Sequence, residues 1–228
     1  MPSPYDLHVK DCCSGLAKAI ALASTGLCDP NNFNLDEYFY YDYPSNGDMH
    51  EVVNGKFFAF KSPLENRKPL GNGRYTLIPT DYFDVFHSKG IRVLVRLNNP
   101  EYDRESMVAD GFAHLDLFFI DCSSPSDDIV DDFLRIEAQE GALAVHCLAG
   151  LGRAGTLIAL YMMKHMHFTA RESISWLRIV RPGSIIGPQQ HYLEDQQARM
   201  WALKLGPQSL LAGSGQVVSL TRSFRNLW

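Results

Sequence analysis

A short apolar run at residues 143–145 ends on His146 and leads into Cys147, five further residues, Arg153 and a helix-forming stretch at 155–166. A strand that passes through a seven-residue loop into a helix leaves the chain few ways to fold. Gly150 and Gly152 permit the dihedrals that a loop wound around an anion requires. Backbone N–H groups of Leu148, Ala149, Gly150, Leu151, Gly152 and Arg153 can then point inward, and the following helix offers the positive end of its dipole. Arg153 closes the ring with a planar fork matched to two phosphate oxygens. A cysteine at the floor of such a ring is favoured as the thiolate, a strong nucleophile and a workable leaving group. Cys-x5-Arg alone is a common coincidence. The strand before it, the helix after it, the two glycines and His146 together point to phosphate chemistry. His146 is read as orienting Cys147 or its loop, against the simpler reading of a core histidine.

Cleaving a phosphate ester leaves an alkoxide that needs a proton, so an acid is expected on a separate loop facing the ring. The segment LDLFFIDCSSPSDDIV supplies Asp121, 26 positions before Cys147. A strand–loop–helix–strand unit between them brings both to the C-terminal edge of one sheet, where open α/β folds bind ligands. Asp116 falls inside the expected strand, and Asp127 and Asp128 fall in the first turn of the next helix, where they complement its dipole.

Strands expected at 91–97, 114–119 and 143–146 alternate with helices at 80–88, 102–109, 126–137, 155–166, 170–179 and 188–205. That alternation predicts an α/β fold with a central, mostly parallel sheet flanked by helices. A hairpin is expected over 51–60 around Asn54-Gly55. Upstream, helices are expected at 11–28 and at 35–41, the second capped by Asn34. The chain divides into an N-terminal helical linker segment (1–45), a catalytic domain (46–205) and a Gly/Ser-rich, flexible tail (206–228). At 228 residues it can bury one sizeable core, and a net charge of −5 gives no support to nucleic-acid binding. No stretch has the length of apolar sequence that a membrane span needs. Five cysteines in no zinc-like spacing suggest a reducing, intracellular compartment, and no metal or cofactor is called for.

Residues 46–201 resemble the catalytic domain of the cell-division-cycle-fourteen (Cdc14-type) dual-specificity phosphatases of mitotic exit. The matching segments are NGDMHEVVNGKFFAF, VRLNNPEYD, FFIDCSSPSD, AVHCLAGLGRAGTLIA and IVRPGSIIGPQQHYLEDQQ, and FNLDEYFYYDYPSNGDM is similar to the family's linker helix. The resemblance implies hydrolysis of phosphoserine/phosphothreonine, preferably Ser-Pro, and of phosphotyrosine through a phosphocysteine. It implies phosphorylated protein partners, chiefly cyclin-dependent kinase sites with basic residues nearby, and a nuclear or cytoplasmic address. It assigns nucleophile, clamp and acid to Cys147, Arg153 and Asp121, and water positioning to Gln189 or Gln190. It places Asp36, Glu37 and Asp42 against a basic substrate residue, though a solvated helix face explains those acids equally well.

Three departures stand out. Ala154 occupies a position where the family usually has Thr, whose hydroxyl would steady the departing sulfur. Leu148 replaces a residue that is usually Lys, which removes a positive charge from the mouth of the ring. The family pattern has a preceding domain that this sequence does not contain, so the apolar segment 16–27 is expected to be open to self-association. A weakened, phosphate-binding or substrate-trapping module is the alternative reading. A rhodanese-like sulfurtransferase fits less well, because it needs neither Asp121 nor the glutamines.

Overall fold

The computed structural model describes residues 5–22, 27, 31, 33–136 and 141–204. Helix α1 (Val9–Ala21) is followed by α2 (Leu35–Asp42) and the strands β1 (Met49–Val53), β2 (Phe57–Lys61), β3 (Pro69–Gly71) and β4 (Arg74–Tyr75). Then come a 3-10 turn (Pro79–Asp81), α3 (Phe83–Ser88), β5 (Ile91–Arg96), α4 (Glu105–Ala109), β6 (Ala113–Asp116) and α5 (Asp127–Ile136). Strand β7 (Ala142–Cys147) and helices α6 (Gly152–Met166), α7 (Ala170–Val180) and α8 (Gln189–Lys204) complete the described chain.

The main sheet has the order β1-β2-β7-β5-β6. Only β1 runs antiparallel, joined to β2 by the expected hairpin; the β2–β7, β7–β5 and β5–β6 pairs are parallel. Parallel strands with helices on both faces must be apolar on both sides, and β7 (ALAVHC) is buried at every position. It lies mid-sheet, so its C-terminal end, Cys147, emerges between the ends of β2 and β5: Lys61 pairs with Cys147 and Arg96 with His146.

Several boundaries differ from expectation. Helix α6 begins at Gly152 rather than at 155, so the second glycine of the loop is already its first residue. Helix α1 spans 9–21; the expected continuation to 28 falls largely outside the described residues, as do Leu205 and the tail 206–228. Strand β6 stops at Asp116, and the chain beyond it keeps only scattered ladder bonds to β5, Leu117 N–H to the Arg96 carbonyl and Phe119 N–H to that of Leu97. Tyr102 lies outside α4, because its ring is buried and its hydroxyl bonds two histidines. The small β3–β4 hairpin lies in a stretch read as loop. Helix α1 packs on α7, with Gly15 against the Glu172 carbonyl and Lys18 paired to Glu172 at 3.0 Å. Leu16 and Ile20 remain partly open to solvent.

Candidate active site

The loop after β7 is defined by where its carbonyls go. The Leu148 carbonyl accepts from Ser62 N–H at 3.2 Å. Arg181 donates from Nη2 to the Ala149 carbonyl at 2.9 Å and from Nε to that of Gly150 at 2.8 Å. His146 Nδ1 lies 3.4 Å from the Cys147 carbonyl oxygen. In a planar trans peptide the C=O and the following N–H point opposite ways. Four successive carbonyls tied outward therefore turn the N–H groups of Leu148, Ala149, Gly150 and Leu151 toward the centre. None of the four has an acceptor among the described residues. Gly150 is required here: its φ is +67°, and a Cβ would stand 2.0 Å from the Phe60 carbonyl oxygen.

Cys147 is 3% exposed at the floor of this ring. Arg153 is equally buried, and its Nη1 donates to the carbonyls of Leu97 (3.1 Å) and Phe119 (3.0 Å), at the ends of the neighbouring chain segments. Those two bonds fix the guanidinium plane. Its Nε lies 3.1 Å from Asp121 Oδ1, within ion-pair reach but not aligned as a hydrogen bond, and has no other acceptor. A buried, charged N–H left without an acceptor is costly unless an anion completes it.

Asp121 itself is exposed, in a turn where Ser123 N–H bonds the Ile120 carbonyl at 3.2 Å. Cys122 next to it has φ +59°, a conformation side-chain-bearing residues seldom adopt. Of the other acids, Asp116 is bidentate to Arg96 (2.6 and 3.1 Å) and Asp127 pairs with Arg199, so both are committed to structure.

His146 is a fully buried neutral histidine, its pKa pushed down to about 3 by burial. The Tyr102 hydroxyl lies 2.9 Å from its Nε2 and 2.8 Å from His114 Nε2. Since Nδ1–H faces the Cys147 carbonyl, Nε2 accepts from Tyr102, whose oxygen accepts from His114. The imidazole ring is thus part of the core, with its Nδ1 turned to one loop carbonyl.

The two glutamines separate. Gln189 is buried against the loop: its Oε1 would meet a Cβ on Gly152 at 2.9 Å, and its Nε2 donates to Ser123 O at 3.0 Å on the Asp121 turn. Gln190 accepts from Arg178 Nη2 at 2.6 Å and donates to Gly187 O at 3.0 Å. Arg178 lies in the last turn of α7 and Gly187 in the connection that leads to α8.

The linker acids disperse as well. Glu37 pairs with Lys89, which precedes the N-terminal end of β5, the sheet edge opposite Cys147. Asp42, at the other end of α2, lies 3.1 Å from His50 Nε2. Asp36 is exposed. Leu148 stands about half exposed at the mouth of the ring. Ala154 is fully buried, and the hydroxyl of Thr156 donates to the Gly152 carbonyl at 2.8 Å, so it is not free to serve the sulfur. Arg181, which sequence reasoning passed over, lies within one of the segments that resemble the family, but only its contacts give it a role. Among the described residues no group of side chains is arranged to hold a metal, and no helix is long and apolar enough to cross a membrane.

A family model described as Tc-R-P, a polymorphic toxin system DSP-PTPase phosphatase, matches residues 70–167. The human dual specificity protein phosphatase CDC14A is 50% identical over 198 residues, covering 86% of this chain and 33% of that protein. The tyrosine-protein phosphatase cdc-14 of Caenorhabditis elegans is 44% identical over 205 residues, 89% of this chain and 28% of that protein. The chain thus spans about a third of the length of the curated relatives it matches. Among solved structures, a mutant form of Tk-PTP superposes with TM-score 0.55 at 21% identity, covering 68% of this chain and 98% of that one. Kinase associated phosphatase, with its catalytic-site cysteine replaced by serine, gives TM-score 0.51 at 16% identity over 70% of this chain and 98% of that one. At such identities these two speak to the fold alone, that of the cysteine-dependent protein phosphatases. Half of the residues matched to a human Cdc14 phosphatase are shared with it, so over 86% of its length the chain is a close homologue of part of the Cdc14 dual specificity phosphatases.

Proposed function

We propose that this chain is a cysteine-dependent dual-specificity protein phosphatase working through a phosphocysteine. The observation that carries this reading is the ring of four unpartnered N–H groups over buried Cys147, completed by the unsatisfied Nε of Arg153. In the first step the Cys147 thiolate attacks phosphorus, the ester P–O bond breaks, and Asp121 gives its proton to the leaving oxygen. The ring N–H groups and Arg153 stabilise the equatorial oxygens. In the second step water attacks phosphorus, the S–P bond breaks to restore the thiolate, and Asp121 takes the proton from water. Gln189, between Gly152 and the Asp121 turn, is the better placed of the two glutamines to hold that water.

The finer proposal is phosphoserine-proline in cyclin-dependent kinase sites, with a basic residue nearby, in the nucleus or cytoplasm and in the service of mitotic exit. It rests on family resemblance. Asp42 and Asp36 are the linker acids open to a basic peptide; Glu37 is engaged by Lys89. Self-association through the open Leu16 and Ile20 face of α1 belongs to the same set of proposals. The second reading, a substrate-trapping module, is favoured by Ala154 together with the occupied hydroxyl of Thr156.

Stopped-flow hydrolysis of an aryl phosphate by wild type and Cys147→Ser decides between them. Steady release of phosphate that Cys147→Ser abolishes supports the enzyme. A single-turnover burst followed by near-silence supports the trap, and no product at all from wild type rejects the enzyme and leaves a phosphate-binding module as the reading.

A further inference from the structure

Arg181 is among the largest fully buried side chains of the protein, and it lies outside the strand–loop–helix segment that carries Cys147 and Arg153. Its donors are nearly all used. Nε reaches the Gly150 carbonyl at 2.8 Å, and Nη2 is shared between the Ala149 carbonyl and Asp48 Oδ1, each at 2.9 Å. Nη1 lies 2.8 Å from His50 Nδ1. An arginine cannot accept, so His50 Nδ1 accepts and the histidine proton sits on Nε2, 3.1 Å from Asp42 Oδ1 but not aligned on it as a hydrogen bond. Burial and the adjacent guanidinium hold His50 neutral, its pKa pushed down to about 4. Asp48 adopts φ +45° to present its carboxylate to Arg181.

We infer that Arg181 is a positioning residue for oxyanion binding, clamped by Asp48 and His50 so that it sets the peptide planes of Ala149 and Gly150. The inference rests on the phosphatase reading above. Two outward carbonyls held by one rigid fork fix the inward direction of the next two N–H groups, those of Gly150 and Leu151. The clamp enters from β1 and the turn before it, so the segment that follows α2 is mechanically part of the ring.

The test measures vanadate affinity of the full chain by calorimetry, alongside kcat and KM on a small aryl phosphate and the melting temperature. Asp48→Asn keeps a residue tolerant of positive φ while removing the charge. His50→Leu removes the acceptor, and His50→Asn returns one near the Nδ1 position. His50→Leu and Asp48→Asn are expected to weaken vanadate binding and kcat/KM by about tenfold, and His50→Asn to recover most of it. Should His50→Leu fail to fold, Asp48→Asn carries the comparison. Variants that melt earlier yet bind vanadate as wild type does would make the clamp structural only and overturn the inference. Wild type that binds no vanadate would sink the phosphatase reading and the inference with it.

Discussion

The Asp121 carboxylate stands 3.1 Å from Arg153 Nε, so the proposed acid and the proposed phosphate clamp already touch. An incoming phosphate would take over the guanidinium edge and release the carboxylate toward the leaving oxygen. Asp121→Ala is therefore expected to lower kcat/KM by about 10²–10⁴ on alkyl phosphates. The loss should shrink with a p-nitrophenyl leaving group, which departs without a proton. The plot of log kcat/KM against leaving-group pKa, steeper in the variant, checks this.

Ala154 predicts a slow second step. The expected remedy is Ala154→Thr, which supplies a hydroxyl to the departing sulfur. A hydrogen bond to a charged group contributes about 1.5–3 kcal/mol, equivalent to roughly 10–150-fold in rate. Pre-steady-state traces should show a burst in wild type and a smaller or absent one in the variant. Equal traces would mean that phosphocysteine breakdown does not depend on this position.

Gly150→Ala should damage both fold and site. A Cβ there meets the Phe60 carbonyl oxygen at 2.0 Å and Arg181 Nη2 at 3.0 Å, at φ +67°. Backbone strain and overpacking together predict a loss of about 2–4 kcal/mol. Gly111→Ala, also at positive φ but with nothing within 4 Å, is the matched control for the conformational part. Urea melts of the two variants separate the terms.

Three buried neutral histidines set the acid limb of stability. Burial lowers the pKa of His50 to about 4, of His146 to about 3, and that of His114 below its ordinary value. In the unfolded chain each binds a proton near pH 6.5. Below that pH the unfolded state holds more protons, so stability falls as pH falls from about 6.5 toward 4. Each histidine contributes a slope of about 1.4 kcal/mol per pH unit in that window. Melts at pH 7.5 and 5.5 should differ accordingly, and Tyr102→Phe, which leaves both ring nitrogens without their hydroxyl, should lower stability at either pH.

What the chain announced in advance was local. Asn54-Gly55 specifies a hairpin because Gly55 takes φ +65° without strain, and the elements around Cys147 and Arg153 follow from one contiguous segment. Long-range convergence was not legible. Arg181 meets His50 across 131 positions and Tyr102 meets His146 across 44, and neither pairing leaves a periodic trace. Gln189 and Gln190 are equivalent on paper; only the approach of Gly152 and Ser123 tells them apart. Leu117 and Phe119 extended the apolar pattern of β6, but ladder pairing ends at Asp116. Tyr102 suits a helix by sequence, but its hydroxyl is held between two histidines.

The central place of β7 has a kinetic corollary. A strand bonded on both sides exchanges its amide hydrogens only when the whole domain opens, whereas a segment past the end of an edge strand opens on its own. Cys147 ends the first kind of segment, and Asp121 lies five positions beyond the end of the second. The proposed nucleophile is thus tied to a slow-opening part of the molecule and the proposed acid to a faster one. Heating should silence proton transfer some degrees before it dismantles the anion ring.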